Sequence, residues 1–349
     1  MMGDLLARIE GFRNREQPMK HGMGVENHLL ADGPTCRAGH YRPQSDRMSL
    51  APAIHTIDLR FQNTPEIVAA FLIEGPEGLI LIETGPGSTL PRLLEGIAEL
   101  GFRPAEVRDV FVTHIHLDHA GAAGWWAREN GSTIYAHPQA ERHLVDPAKL
   151  MASARLVYGE RMESLWGEML PAPAGQVVAL ADGQKVCVGG VEVTALDTPG
   201  HARHHHCYAI SGAIFTGDVA GMRLPGTDYL SVTSAPPQFD PVAYAASIDR
   251  LIAQRPERLM LTHFGEVADD PEDHLRRYGD AVALAAEFVR QRLVEGMDGD
   301  SLQIAYQAFQ MEQAFKAGLP SGDWHRCQRA NPTGMSADGI RLYWEKAGK

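Results

Sequence analysis

The stretch Thr113-His114-Ile115-His116-Leu117-Asp118-His119 sets three imidazoles and a carboxylate within six consecutive positions. These are the side-chain types that hold divalent metals, zinc above all. In a tight loop, residues two apart can face the same way, so His114 and His116 can share one ion. Asp118 and His119 open the helix that follows and can reach a second ion beside it. A lone histidine at a strand end is ordinarily a hydrogen-bonded structural residue. Four such groups placed in a dry core without a metal would leave several unpaired, at about 1–3 kcal/mol each.

Three later stretches supply complementary groups. In Asp197-Thr198-Pro199-Gly200-His201 a Pro-Gly turn precedes His201, which would complete a three-histidine set for the first ion. Asp218 follows the short apolar run Ala213-Ile214-Phe215, and its two oxygens could bridge a pair of cations. His263 follows Leu259-Met260-Leu261 and suits the second ion. Either residue alone reads as an ordinary turn or strand end; beside the other clusters, each reads as a ligand. The run His204, His205 and His206 is not assigned to the metals. His205 is a candidate for supporting the ligands from behind. Glu83, after the strand-like Leu79–Ile82, is placed to orient a ligand histidine. Arg223, in a long loop after Asp218, is a candidate for an anionic substrate group, although a loop arginine is usually just solvated. That loop, residues 221–240, and the helical tail are where substrate contacts are expected. Trp125 and Trp126 read as core.

Side chains from such distant stretches can meet only if rigid elements carry them. From about residue 52 the chain shows short β runs: 53–61, 66–74 and 78–84, with Gly75-Pro76-Glu77-Gly78 as a turn. A helix over 88–101 follows, with Ser88 as its expected N-cap. Further strands are expected at 108–113, 132–136, 176–180, 185–188, 191–198, 206–210, 213–217 and 258–262. Helices interleave at 120–130, from 146 onward and at 241–254. This mixture fits an α/β (α+β) chain in which two sheets pack face to face under outer helices. After about 270 the pattern is wholly helical, with Tyr278, Val282, Ala285 and Val289 along one face. Three regions result: a poorly structured extension over 1–50, a catalytic unit over 51–270, and a helical cap or oligomer contact over 271–349, through which a homo-oligomer could form.

The composition narrows the class. The 349 residues are 44% hydrophobic and 22% charged, with a formal net charge of -12. Such an acidic surface repels phosphate backbones, which argues against a nucleic-acid partner. Neither a signal-peptide stretch nor an 18-residue apolar run is present, so no membrane association is expected. The four cysteines, Cys36, Cys187, Cys207 and Cys327, lack metal or redox spacing and fit a reducing cytoplasm better than a disulfide framework.

These motifs, in this order, resemble those of the metallo-β-lactamase superfamily. Thr113–His119 is similar to its HxHxDH signature, Thr198–His201 to its third motif, Phe215–Asp218 to its bridging-aspartate motif, and Leu261–Gly265 to its last. Glu83 stands where the family more often has an aspartate. The similarity spans roughly residues 52–270 and implies a four-layer αββα sandwich with the site at one edge of the sheets. It implies that His114, His116 and His201 hold one metal, that Asp118, His119 and His263 hold the other, and that Asp218 bridges. An aspartate at 218 resembles the glyoxalase II and lactonase branches. However, the glutathione loop of the former is missing, and Gly221 stands where the latter carry a tyrosine.

The chemistry implied is hydrolysis of an ester, thioester or lactone, a small-molecule substrate, by a water shared between two cations, with Asp118 as the catalytic proton carrier. Zinc is the expected metal, with iron or manganese also suited to imidazole and carboxylate. Two other readings remain: a mononuclear-iron thiol or persulfide dioxygenase on the same fold, and a non-catalytic metal-binding protein.

Overall fold

The computed structural model describes residues 51–348; the extension expected over 1–50 and Lys349 lie outside the described residues. Twelve strands among those residues form two six-stranded sheets. The first holds β1 (Ala53–Asp58), β2 (Ala69–Gly75), β3 (Gly78–Ile82), β4 (Val107–Phe111), β5 (Thr133–Ala136) and β6 (Val177–Ala179), in sequence order across the sheet. The first three are antiparallel neighbours; from β3 onward the pairing is parallel. The second sheet runs from β7 (Lys185–Val188) and β8 (Val191–Asp197) through β9 (His206–Ile210) and β10 (Ala213–Phe215) to β11 (Arg258–Leu261) and β12 (Gly265–Glu266). Only β10 and β11 pair in parallel there.

Period-two alternation explains the layering. In β2 and β3, Phe71, Ile73, Ile80 and Ile82 face an inter-sheet core shared with Val193, Tyr208, Phe215 and Met260. Their neighbours Ala70, Leu72, Leu79 and Leu81 face the opposite way, into a core shared with Trp126 and Leu93. On the second sheet Ile214, Leu259 and Leu261 likewise face outward, against Tyr244, Tyr278 and Val282. Three apolar cores between four layers make this an αββα sandwich.

The first sheet is covered by α1 (Leu90–Glu99), α2 (Leu117–Ala120), α3 (Ala123–Asn130), α4 (Pro138–Val145), α5 (Ala148–Tyr158) and α6 (Met162–Trp166). The second is covered by α7 (Pro241–Ala253), α8 (Pro271–Val294), the first half of α9 (Gly299–Lys316) and α11 (Thr333–Lys346), while α10 (Trp324–Ala330) packs on the outer core of the first. Asp240 and Asp270 cap α7 and α8 with their side chains, and a proline sits in the first turn of each. As expected, Tyr278, Val282, Ala285 and Val289 are all buried.

Three local expectations need correction. Ser88 does not cap a helix: it lies in a 3₁₀ turn ahead of α1, and its hydroxyl donates to the Leu165 carbonyl at 2.6 Å. Helix α4 was hidden because its N-cap is His137, whose ring accepts the Gln139 N–H. Cys207 and Cys327 are buried free thiols, but Cys187 is disulfide-bonded, against the expectation of a chain without disulfides. No helix among the described residues is long and apolar enough to cross a membrane.

Candidate metal centre

The seven residues singled out by sequence meet at one end of the sandwich, each delivered from the end of a strand or the turn after it. His114 and His116 follow β4, Asp118 and His119 lie on α2, and His201 lies between β8 and β9. Asp218 follows β10 and His263 follows β11. Ring nitrogens of His114, His116 and His201 converge: His116 Nδ1 is 3.0 Å from His114 Nε2 and 2.8 Å from His201 Nε2. Asp118, His119 and His263 form a second group, with Asp118 Oδ2 3.8 Å from His119 Nε2 and 3.6 Å from His263 Nε2.

Asp218 stands between the groups and divides its oxygens. Oδ2 lies 3.3 Å from His201 Nε2, whereas Oδ1 lies 3.1 Å from His119 Nε2 and 3.2 Å from His263 Nε2. His119 Nε2 and Asp218 Oδ1 are buried with no hydrogen-bond partner in the protein. A cation beside them would supply what each lacks, so the residues present fit a divalent ion. Of the seven, His116 and Asp118 are the two that are not fully buried, which fixes the open face of the centre.

Groups behind the ligands fix the rings. His201 Nδ1 donates to the Thr233 carbonyl at 3.1 Å, and His263 Nδ1 to the Ile67 carbonyl at 2.7 Å. His114 Nδ1 donates to the Thr113 hydroxyl at 3.0 Å, which in turn donates to Glu83. Glu83 is fully buried, accepts from Thr262 Oγ1 at 3.2 Å, and takes a left-handed φ of 66°, a strain of about 1 kcal/mol or more for a non-glycine residue. His205 uses both nitrogens: Nε2 accepts the Asp218 N–H at 3.1 Å while Nδ1 meets the Thr198 hydroxyl at 2.9 Å. Each orienting contact holds a ring or carboxylate in the position coordination needs. Gly217 has no room for a side chain, since a Cβ there would stand 2.6 Å from both His205 Nε2 and Thr113 Oγ1.

The electrostatics follow position. Burial, reinforced by neighbouring rings, pushes His114 and His116 well below the usual imidazole range. Burial also opposes charge on His119, but Glu83, Asp118 and Asp218 outweigh it and raise that ring well above the range. For Asp218, burial raises the carboxyl, yet His201, His119 and His263 win and hold it well below the usual value. Burial pushes His204 down to about 3 and His206 down to about 4, so both rings are neutral at pH 7.

Arg223 is not brought into the centre's chemistry. Its guanidinium bonds Asp269 at 2.7 Å, Asp228 at 3.0 Å and the Thr227 carbonyl at 2.7 Å, so two carboxylates neutralise the charge expected for a substrate anion. The 221–240 loop is likewise packed away: Met222, Leu224, Tyr229, Leu230, Val232 and Phe239 are buried. Its contribution is Thr233, whose hydroxyl donates to the Asp218 carbonyl at 2.7 Å and contacts Tyr244 and Tyr278. The tail braces this segment, since Asn331 donates to Ser231 Oγ and the Val232 carbonyl, and Ser234 to the Ser336 carbonyl. A residue missed from sequence is Tyr158 on α5, near enough to Asp118 for that carboxylate to add to the burial that raises its phenol. Trp126 is fully buried in the core, as expected.

Comparison with known proteins agrees with this geometry. The family model of the metallo-β-lactamase superfamily matches residues 63–263. A metallo-β-lactamase fold-containing protein of Sulfurisphaera tokodaii is 25% identical over 228 residues, covering 64% of this chain and 83% of that protein. An atrochrysone carboxyl ACP thioesterase of Aspergillus fumigatus is 31% identical over 143 residues, which cover 40% of this chain and 35% of the thioesterase. A crystal structure of a metallo-β-lactamase family protein from Thermus thermophilus shares the fold with a TM-score of 0.58 at 19% identity, covering 85% of this chain and 94% of that one. The sandwich, the motifs at its strand ends and the family match together place this chain in the metallo-β-lactamase superfamily.

Proposed function

We propose that the protein is a dinuclear metal-dependent hydrolase acting on an ester, thioester or lactone. The observation that carries this reading is the division of Asp218, one oxygen toward His201 and the other toward His119 and His263. A carboxylate set that way serves two cations rather than one. His114, His116 and His201 would hold the first, and Asp118, His119 and His263 the second, with zinc the metal best matched to the donors.

When bound, such a pair lowers the pKa of a shared water from about 15.7 towards neutrality and polarises a carbonyl oxygen. The protein's own groups do the rest. Asp118 lies on the open face, where it can accept a proton from the attacking water and pass it to the leaving group. His205 and Thr233 hold Asp218 from its N–H and its carbonyl, and Glu83 holds His119, so the site is set before substrate arrives. The thioesterase relative supports the substrate class, as the name of a similar protein.

Elemental analysis of purified protein, followed by a panel of esters, thioesters and lactones, tests the reading with Asp118→Asn as control. Two metals per chain and turnover reduced at least about 100-fold in the variant are expected. Loaded, folded protein inert on every panel would sink the proposal. So would one iron per chain with thiol-dependent oxygen uptake.

A further inference from the structure

A second group of metal-ligand side chains lies outside the seven-residue centre. His137, Asp197 and His206 bring one donor atom each within 4.8 Å of one another. His137 Nε2 is 3.4 Å from Asp197 Oδ1, and the rings of His137 and His206 are 4.5 Å apart at 61°. Asp197 ends β8 and is the register partner of His206 at the start of β9. His137 comes from the other sheet, between β5 and α4. The three therefore join the two sheets at the base of the loop 198–205, which carries His201 and His205.

Unmet bonding marks this group out. His206 is fully buried and neither ring nitrogen has a hydrogen-bond partner. Asp197 Oδ1 is buried and also lacks one. Each of these three buried atoms has given up its bond to water without a replacement. A structural hydrogen-bond network would not leave them so. We propose that His137, Asp197 and His206 form an auxiliary site for a single divalent transition cation of the zinc type, which fastens the His201 loop to the opposite sheet. Two imidazoles and a carboxylate suit such an ion and leave a position for water.

Binding has an identifiable cost. His137 Nδ1 now accepts the Gln139 N–H at 3.0 Å. Coordination through Nε2 moves the ring proton to Nδ1 and gives up that cap. Against that loss, the ion would satisfy Asp197 Oδ1 and one of the two unpartnered His206 nitrogens. Arg250, bonded to the Asp197 carbonyl at 3.0 Å, brings a positive charge nearby, but Asp182 neutralises it at 2.6 Å.

Wild-type crystals equilibrated with zinc chloride, measured across the zinc absorption edge, test the site directly. An anomalous peak among His137, Asp197 and His206 is expected. Density for water alone, or peaks confined to the seven-residue centre, would overturn the proposal. Failure of the hydrolase reading would show elsewhere, as missing peaks around Asp218. In solution, His206→Gln and Asp197→Asn should each retain one zinc fewer per chain than wild type after gel filtration, and an unchanged count counts against the site. Should either variant not fold, the wild-type anomalous map decides alone.

Discussion

Nδ1 of His119 lies 3.0 Å from Oε1 of Glu83, and both side chains are completely buried. This contact turns the other nitrogen of His119 toward Asp218 and places a negative charge behind the second group of ligands. Replacement by Glu83→Gln keeps the volume but removes that charge. Metal affinity, measured by competition with a chromophoric chelator, should fall about 10–100-fold while the far-ultraviolet dichroism stays unchanged. Wild-type affinity in the variant would mean that Glu83 serves Thr113 and Thr262 alone.

Removing metal should destabilise the whole sandwich. Without a cation, His119 Nε2 and Asp218 Oδ1 have no partner, and anything that binds the native state alone adds RT ln(1 + [L]/Kd) to its stability. Dialysis against a strong chelator is expected to lower the thermal midpoint, and zinc at about 100 times its Kd to restore about 2.7 kcal/mol. Coincident melting curves for the two forms would show that the seven residues hold no ion.

Gly221→Ala should be costly although the residue has no side chain and meets Asp218 only through its backbone N–H, which donates to the Asp218 carbonyl at 3.1 Å. A Cβ there would stand 2.1 Å from Cε2 of Tyr278, and the backbone has φ of +77°. Overpacking and the left-handed backbone together predict a loss of about 2–3 kcal/mol in urea unfolding. A loss under about 0.5 kcal/mol, the range of ordinary surface changes, would contradict the close packing of Tyr278 on this turn.

Acid should weaken the fold through His274, whose ring is buried, bonds the Ala220 carbonyl at 3.0 Å and is pushed down to about 4, chiefly by burial. An unfolded chain titrates this group near 6.5, so between about pH 6.5 and 4 the unfolded state binds a proton that the native state refuses. The stabilising contribution is therefore complete above pH 6.5 and is lost as pH falls towards 4, at up to about 1.4 kcal/mol per pH unit. His274→Gln should flatten that slope in chelator-treated protein, where metal release plays no part. Equal slopes for the two proteins would exclude His274 as a source.

Much of this was legible because it repeats at short range. The short apolar β runs 69–73 and 79–82 announce buried strands, and clusters such as His114–His119 advertise themselves within one turn. What stayed hidden depends on partners far along the chain. Arg223 looked available because Asp269, one of its two neutralising carboxylates, lies 46 residues on. Thr233 was invisible as a support because it offers His201 a backbone carbonyl, which no side-chain pattern reveals. Helix α4 begins on a histidine rather than on the serine, threonine or aspartate that usually announces a start.

The brace from Asn331 and Ser336 onto residues 231–234 bears on how the molecule can be cut. The family match ends at residue 263, yet the carbonyl that aligns His201 sits on a segment pinned by Asn331 and Ser336, about 100 positions later. A shortened gene product stopping near that boundary would retain every candidate ligand and still let one of them swivel. Excision of the last helices would thus act as a remote lesion in the metal centre.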